Sequence, residues 1–225
     1  MAALSLLAPA LSLLGWLAPG GVQGTDAWQR AEAARSGSPE RSAALLEALA
    51  GTPGALEGAH LQLAWSVGVE AARALRLEDA IAIQTELEAR NPGDWSAMDL
   101  ALSLGLAGRT EDADRVLGRA LERDRSAGRP TAELWSRRGL LWLGAGRERI
   151  ARDHLGRALA RGSSDAALVL GRLDLERGDP WTARAEFRSG LYDDPPGAWA
   201  LRGWGLSLLP MLPSRAAPHP EDPTP

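Results

Sequence analysis

The chain has 225 residues, 45% of them hydrophobic and 24% charged, with a formal net charge of −4. That composition suits one globular domain or a short repeat array, not a wholly disordered chain, and so mild a charge offers no field for nucleic acid. The absence of Cys excludes disulfides, thiolate metal sites, a Cys nucleophile and a lipidated amino-terminal Cys.

Ala, Leu, Arg and Glu, all strong helix formers, dominate a sequence with one Phe and one Tyr, so the expected fold class is all-α. All the basic residues other than His are Arg.

Residues 1–24 carry no charged side chain. An apolar run broken by Pro9 and Gly15 is followed by Gly20, Gly21, Val22 and Gly24. Such a run ending in small residues is the pattern of a secretory signal cut after Gly24, although no Lys or Arg precedes it. Export to the periplasm or the extracellular space is therefore the expectation. An uncleaved membrane anchor and a cytoplasmic amino-terminal helix are the alternatives.

Residues 25–60 read as a degenerate first repeat or cap, with Gly37 at its turn and Ala43, Leu46 and Leu49 on its second helix. Over 61–197 the same punctuation then recurs four times. One copy runs Trp135, Gly139, Trp142, Gly146, Ala151, Leu155 and Ala158. The clearest runs Leu100, Ala101, Leu104, Gly108, Ala113, Leu117, Ala120 and Leu121, and another Leu170, Gly171, Asp174, Gly178, Ala183, Phe187, Gly190 and Leu191, closed by Pro195. The loosest is Val67, Gly68, Ala71, Ala80, Leu87 and Pro92. The marker alanines 80, 113, 151 and 183 are 33, 38 and 32 residues apart, and the turn-rich Ser126–Pro130 stretch accounts for the longest interval. Each second half is amphipathic at helical spacing, as in Ala113, Val116, Leu117, Ala120 and Leu121. Thr110 is expected to cap one such helix and Asp179, before Pro180, another. A last helix is expected over 198–209 and a Pro-rich disordered tail over 210–225.

This pattern resembles the tetratricopeptide repeat family, whose period is about 34 residues. The resemblance implies a right-handed superhelical stack of antiparallel helix hairpins, an α-solenoid with a concave groove lined by the first helix of each pair. Carried over, the groove residues are Trp65, Val69, Trp95, Met98, Leu102, Leu106, Ser136, Leu140 and Leu143. Asp165, Leu168, Arg172 and Glu176 follow in the fourth repeat. The groove is thus expected to be apolar towards the amino terminus and charged towards the carboxyl terminus. Either it is open to a partner, or residues 25–60 fold over it and make it core.

Catalytic signatures are missing. Gly144-Ala145-Gly146 lacks the continuation of a phosphate loop, there is no G-x-S-x-G elbow, and His60, His154 and His219 lack ligand spacing. No enzyme, cofactor or metal is expected. The expected function is a scaffold or assembly factor binding a protein or peptide, with no nucleic acid and a membrane only through an uncleaved amino terminus. An accessory subunit that binds a glycan or peptide substrate for an envelope enzyme is the alternative.

Overall fold

The computed structural model describes residues 22–190, which are all-helical, with no strand among them. The helices are α1 (Val22–Ala33), α2 (Pro39–Ala50), α3 (Gly58–Arg73), α4 (Leu77–Arg90), α5 (Asp94–Leu106), α6 (Thr110–Ser126), α7 (Ala132–Gly144), α8 (Glu148–Leu159), α9 (Ser164–Glu176) and α10 (Pro180–Ser189). The apolar segment up to residue 21, Leu191 and Pro195 of the last repeat, the helix expected over 198–209 and the Pro-rich 210–225 lie outside the described residues. Helix α1 begins at Val22, so the cleavage point expected after Gly24 falls in its first turn.

Consecutive helices pack on one another as five hairpins, α1–α2 through α9–α10, and each hairpin also touches the next. Four hairpins turn in the same way. The residue two past the first helix lies at positive φ, at Leu75, Gly108, Gly146 and Gly178. The following N–H reaches back to a carbonyl five residues earlier: Arg76 to Ala71, Arg109 to Leu104, Arg147 to Trp142 and Asp179 to Asp174, at 2.8–2.9 Å. This pair of features is the Schellman closure, which satisfies carbonyls that a helix end leaves open. Glycine adopts the conformation freely, whereas an L side chain pays a steric cost of about 1–2 kcal/mol. Leu75 is the one non-glycine residue at positive φ among those described, and its side chain is 72% exposed. Leu75→Gly should therefore raise the unfolding free energy, by about 1 kcal/mol after the greater entropy of an unfolded glycine is deducted. Urea denaturation checks this, and an unchanged or lower midpoint would contradict the strain assigned to that turn.

The turn geometry corrects one expectation. Thr110 does not cap α6: the chain leaves α5 and enters α6 through Arg109, which makes no side-chain cap, and Thr110 is already helical. With one residue between Gly108 and the new helix, the cap position is taken by the residue whose N–H closes the old one. Asp179 does cap α10, accepting from the Thr182 N–H at 3.0 Å, with Pro180 at the first helical position. Gly37 lies at positive φ between α1 and α2, and Ala43, Leu46 and Leu49 all lie on α2. Ser42, Leu45 and Leu49 are buried, Ala43 is exposed and Leu46 is half-buried. Ser42 stands five residues past Gly37, as Ala113 stands five past Gly108.

The core follows the repeat. Ala80, Ala113, Ala151 and Ala183 are fully buried, and Leu117, Leu155 and Phe187 lie four residues on at the centre of their hairpins. The loosest copy carries Gln84 there. It is buried too, and its Oε1 accepts no hydrogen bond from the protein. The small residues of the first helices permit close approach: a Cβ on Gly139 would sit 2.5 Å from Leu155 Cγ, and one on Gly171 2.7 Å from the Phe187 ring.

Arginine ties the hairpins together. Arg76 donates to Ser42 Oγ (3.0 Å), Arg123 to Glu88 (2.9 Å), Arg138 to both oxygens of Asp114 (2.7 and 2.6 Å) and Arg152 to the buried Asp174 (2.6 Å). The planar five-donor guanidinium suits such two-point bridging better than Lys would. Burial works against ionisation of Asp114, but donation from Arg138 and Trp142 holds its carboxyl below the ordinary range. Several ties join residues about one repeat apart: Gly37 to Glu70 (33 residues), Arg76 to Ser42 (34), and Leu56 to Asn91 and Arg123 to Glu88 (35 each).

Candidate functional site

Helix α5 is the unusual element. Its inner face, Ala97, Leu100, Ala101 and Leu104, follows the i, i+3, i+4, i+7 stripe and is buried against α6 and α7. Its outer face carries Trp95, Leu102 and Leu106, which are 72%, 59% and 53% exposed. A surface helix ordinarily sets a polar face to solvent, and a helix apolar all round is ordinarily buried. Met98 lies between these faces, half-buried against the α5–α6 core.

Trp65 on α3 stands beside this face, 42% exposed, and its indole Nε1 donates to Asp99 Oδ2 of α5 at 2.7 Å. That bond spans 34 residues, again one repeat, and it uses the one carboxylate on the outer face of α5 to orient an aromatic ring. Between Trp65 and Trp95 lies an open cleft of about 510 Å³. Leu61 and Leu87 line it with the two indoles, and Asn91, Gly93 and Ser96 also contribute. Leu87 is buried, and most of the surface that the cleft offers is apolar.

Two of the polar side chains around the cleft are already engaged, while the third, Gln62, is exposed. Asn91 Oδ1 accepts from the Leu56 N–H (3.0 Å) and its Nδ2 donates to the Leu56 carbonyl (2.9 Å), which pins the α2–α3 connection to the end of α4. Ser96 Oγ accepts from the Gly93 N–H at 3.0 Å and donates to Glu88, and Glu88 also accepts from Arg123. The base of Trp95 is thereby held from three helices, α4, α5 and α6.

The remaining sequence candidates divide. Leu140 on α7 is exposed, whereas Val69 and Leu143 are half-buried. Ser136 is not a groove residue: it is buried, and its hydroxyl is 2.7 Å from that of Ser163, where it joins α7 to the start of α9. Its small size at the position of a contact residue let α9 close over it. On α9, Asp165, Arg172 and Glu176 are exposed and Leu168 is half-buried; Arg172 donates to Glu176 at 2.8 Å. Residues 26–60 do not cover the cleft. Trp28, Ala31, Leu45 and Leu49 pack instead with Ala64, Val67, Ile83 and Leu87 on the α3–α4 core, and Trp28 stacks on His60 with ring centres 4.2 Å apart.

Sequence reasoning missed Leu61, Leu87 and Asn91 as cleft residues and Asp99 as the partner of Trp65. It also missed a cluster on α7, α8 and the turn after α8, where the guanidinium carbons of Arg138, Arg157 and Arg161 lie 5.4, 4.9 and 5.6 Å from the Trp135 ring. His154 packs against the same ring at 5.4 Å. Burial, aided by Arg138, pushes the His154 pKa down, so this imidazole is neutral near pH 7. No group of three or more His, Asp or Glu side chains that could hold a metal ion occurs among the described residues. No helix among them is long and apolar enough to cross a membrane.

Compared with protein-family models and with curated proteins, the chain has no significant match.

Proposed function

We propose that this chain is a non-catalytic scaffold of the tetratricopeptide type that holds an apolar segment of a protein partner along α3, α5 and α7. The observation that carries this reading is the outer face of α5: Trp95, Leu102 and Leu106 stand in solvent on a helix whose other side is already core. Exposed apolar patches on soluble chains mark contact surfaces, and Trp is enriched among residues that dominate binding energy. The superhelical arrangement is supported by four turns of one geometry and by ties that recur at about one repeat. On this reading the uncharged amino terminus directs the chain to the cell envelope.

The glycan-binding alternative is less well supported. Sugars stack on indoles, but a glycan also needs hydrogen bonds for its hydroxyls. Asn91 and Ser96 in the cleft are committed to the protein's own backbone and to Glu88, which leaves Gln62 alone among its amide and hydroxyl side chains to serve a sugar.

Site-specific photo-crosslinking in the native host tests the proposal. A photoreactive residue at position 95 or 102 should give one discrete protein adduct, and the same residue at the equally exposed Leu75 should give none. Adducts at all three positions, or at none, would refute it.

A further inference from the structure

The start of α5 meets the end of α6 through two acidic side chains. Asp124 is fully buried, and Arg129, in the connection after α6, donates to its Oδ1 through Nε at 2.9 Å. Asp124 Oδ2 is also buried and accepts from no protein donor. Asp94, the first residue of α5, has a buried Oδ1 in the same condition, and Glu88, bonded to both Ser96 and Arg123, shows that this turn of α5 lies beside that turn of α6. Ionised carboxylates only accept. Two facing carboxylate oxygens repel, and a proton between them turns the contact into a hydrogen bond; Arg123, whose Nε and Nη2 are also buried without a partner, eases the repulsion by its charge.

We propose that Asp94 and Asp124 share one proton, with neutral Asp94 donating to ionised Asp124, and that this bond is a pH-sensitive latch fastening the first turn of α5 to the last turn of α6. The proton belongs to Asp94 because Asp124 holds the direct bond to Arg129. Burial, together with the Asp124 carboxylate, raises the Asp94 pKa above the ordinary 3.8. Burial opposes ionisation of Asp124, but the bonds from Arg129 and Asp94 hold its pKa below 3.8. The other charged groups bearing on the pair are Arg123 of α6 and, through its pairing with Arg123, Glu88 of α4.

The sign follows from linkage. The Asp94 contribution is complete below the ordinary Asp pKa and is lost as pH rises through the raised folded-state value. The Asp124 contribution is present above the ordinary value and is lost as pH falls through the lowered one. The latch is therefore closed between the two folded-state values, and it opens on the alkaline side when the second carboxyl ionises. Trp95 follows Asp94 in the chain, so the cleft wall it forms is fastened by the same bond.

Asp94→Asn tests this in the full-length chain. Its amide N–H donates to Asp124 without a titratable proton and in nearly the same shape. The wild-type urea midpoint should fall as pH rises above the Asp94 pKa, while the variant lacks that fall, matching wild type on the acidic side and exceeding it on the alkaline side. Carbon-detected NMR should show one Asp carboxyl titrating above the ordinary range in wild type and absent from the variant. A variant whose midpoint tracks wild type across the whole range, or lies below it throughout, would overturn the proposal. So would an Asp94 carboxyl that titrates at or below 3.8, or a wild-type alkaline loss that magnesium or calcium reverses, since the pair would then be a cation site.

Discussion

Gly139→Ala should lower the unfolding free energy by about 1–3 kcal/mol, and Leu155→Ala by about 2–5 kcal/mol. Made together, they should cost clearly less than the sum. The new Cβ at 139 meets Leu155 Cγ at 2.5 Å and Cδ2 at 2.7 Å, and the Ala151 carbonyl oxygen at 3.2 Å. The nearest atom is the branch point of a fully buried side chain, not its free end, so relief requires movement of α7 away from α8. Truncating Leu155 removes both obstructing atoms, and the cavity it leaves is partly filled by the new methyl group. Contacting residues couple in this way, by about 0.5–3 kcal/mol.

The same substitution has a different expected sign elsewhere, which separates packing from helix propensity. Alanine is favoured over glycine inside a helix by about 1 kcal/mol. At Gly171 the Phe187 ring, 2.7–2.9 Å away, overrides that gain. At Gly68 the nearest atoms, Ile83 Cγ2 and Gln84 Cγ, are at 3.3 and 3.4 Å, so the two effects nearly cancel. Inside α8, Gly156 has nothing within 4 Å, and Gly156→Ala should stabilise the chain by about 1 kcal/mol. Urea denaturation of the single variants and of the Gly139→Ala/Leu155→Ala pair measures all of this. Additive losses in the pair, or a loss at Gly156 as large as at Gly139, would show that the glycines do not set hairpin spacing.

What the sequence made legible was whatever repeats. Glycine at 108, 146 and 178, alanine five residues on and a large apolar residue four further on follow from the steric needs of a tight turn and a close helix pair. Those needs are local and recur in every copy. In the first hairpin serine stands at position 42, where the later copies carry the marker alanine. The α3–α4 turn was hidden because Leu75 replaces glycine. Tertiary partners were less legible. Trp65 and Asp99 sit one repeat apart, and nothing in either local segment says that the indole N–H will find that carboxylate. Ser136 failed for a related reason: register placed it in line with the contact positions, but its burial depends on where α9 begins and on a hydroxyl partner at 163. Trp95, Leu102 and Leu106 were placed on one face of α5 through the resemblance to the repeat family, which left both an open groove and a covered one possible; the structure leaves all three exposed.

Trp95→Ala should abolish most partner capture and leave stability nearly untouched, while Met98→Ala should do the reverse. Sequence placed both residues in one groove; packing separates them. Trp95 is 72% exposed and walls the cleft, so its removal deletes contact surface without opening a core cavity. Surface changes of that kind usually alter folding by less than about 0.5 kcal/mol. An aromatic anchor at a protein interface commonly contributes about 2 kcal/mol or more, which is about a 30-fold loss of affinity. Met98 packs with Ile81, Trp135 and Leu141 against the α5–α6 core, and truncating it should cost about 2 kcal/mol of stability through lost packing. Trp65→Ala is intermediate, because it removes both a cleft wall and the bond to Asp99. Recovery of the crosslinked partner by each purified variant, read beside its urea midpoint, distinguishes the three. Full capture by Trp95→Ala with Asp99, Leu102 and Leu106 unchanged would remove the indole from the binding surface and shift the contact towards Leu140. A large stability loss in the same variant would mean that residue 95 is covered by part of this chain and is core after all.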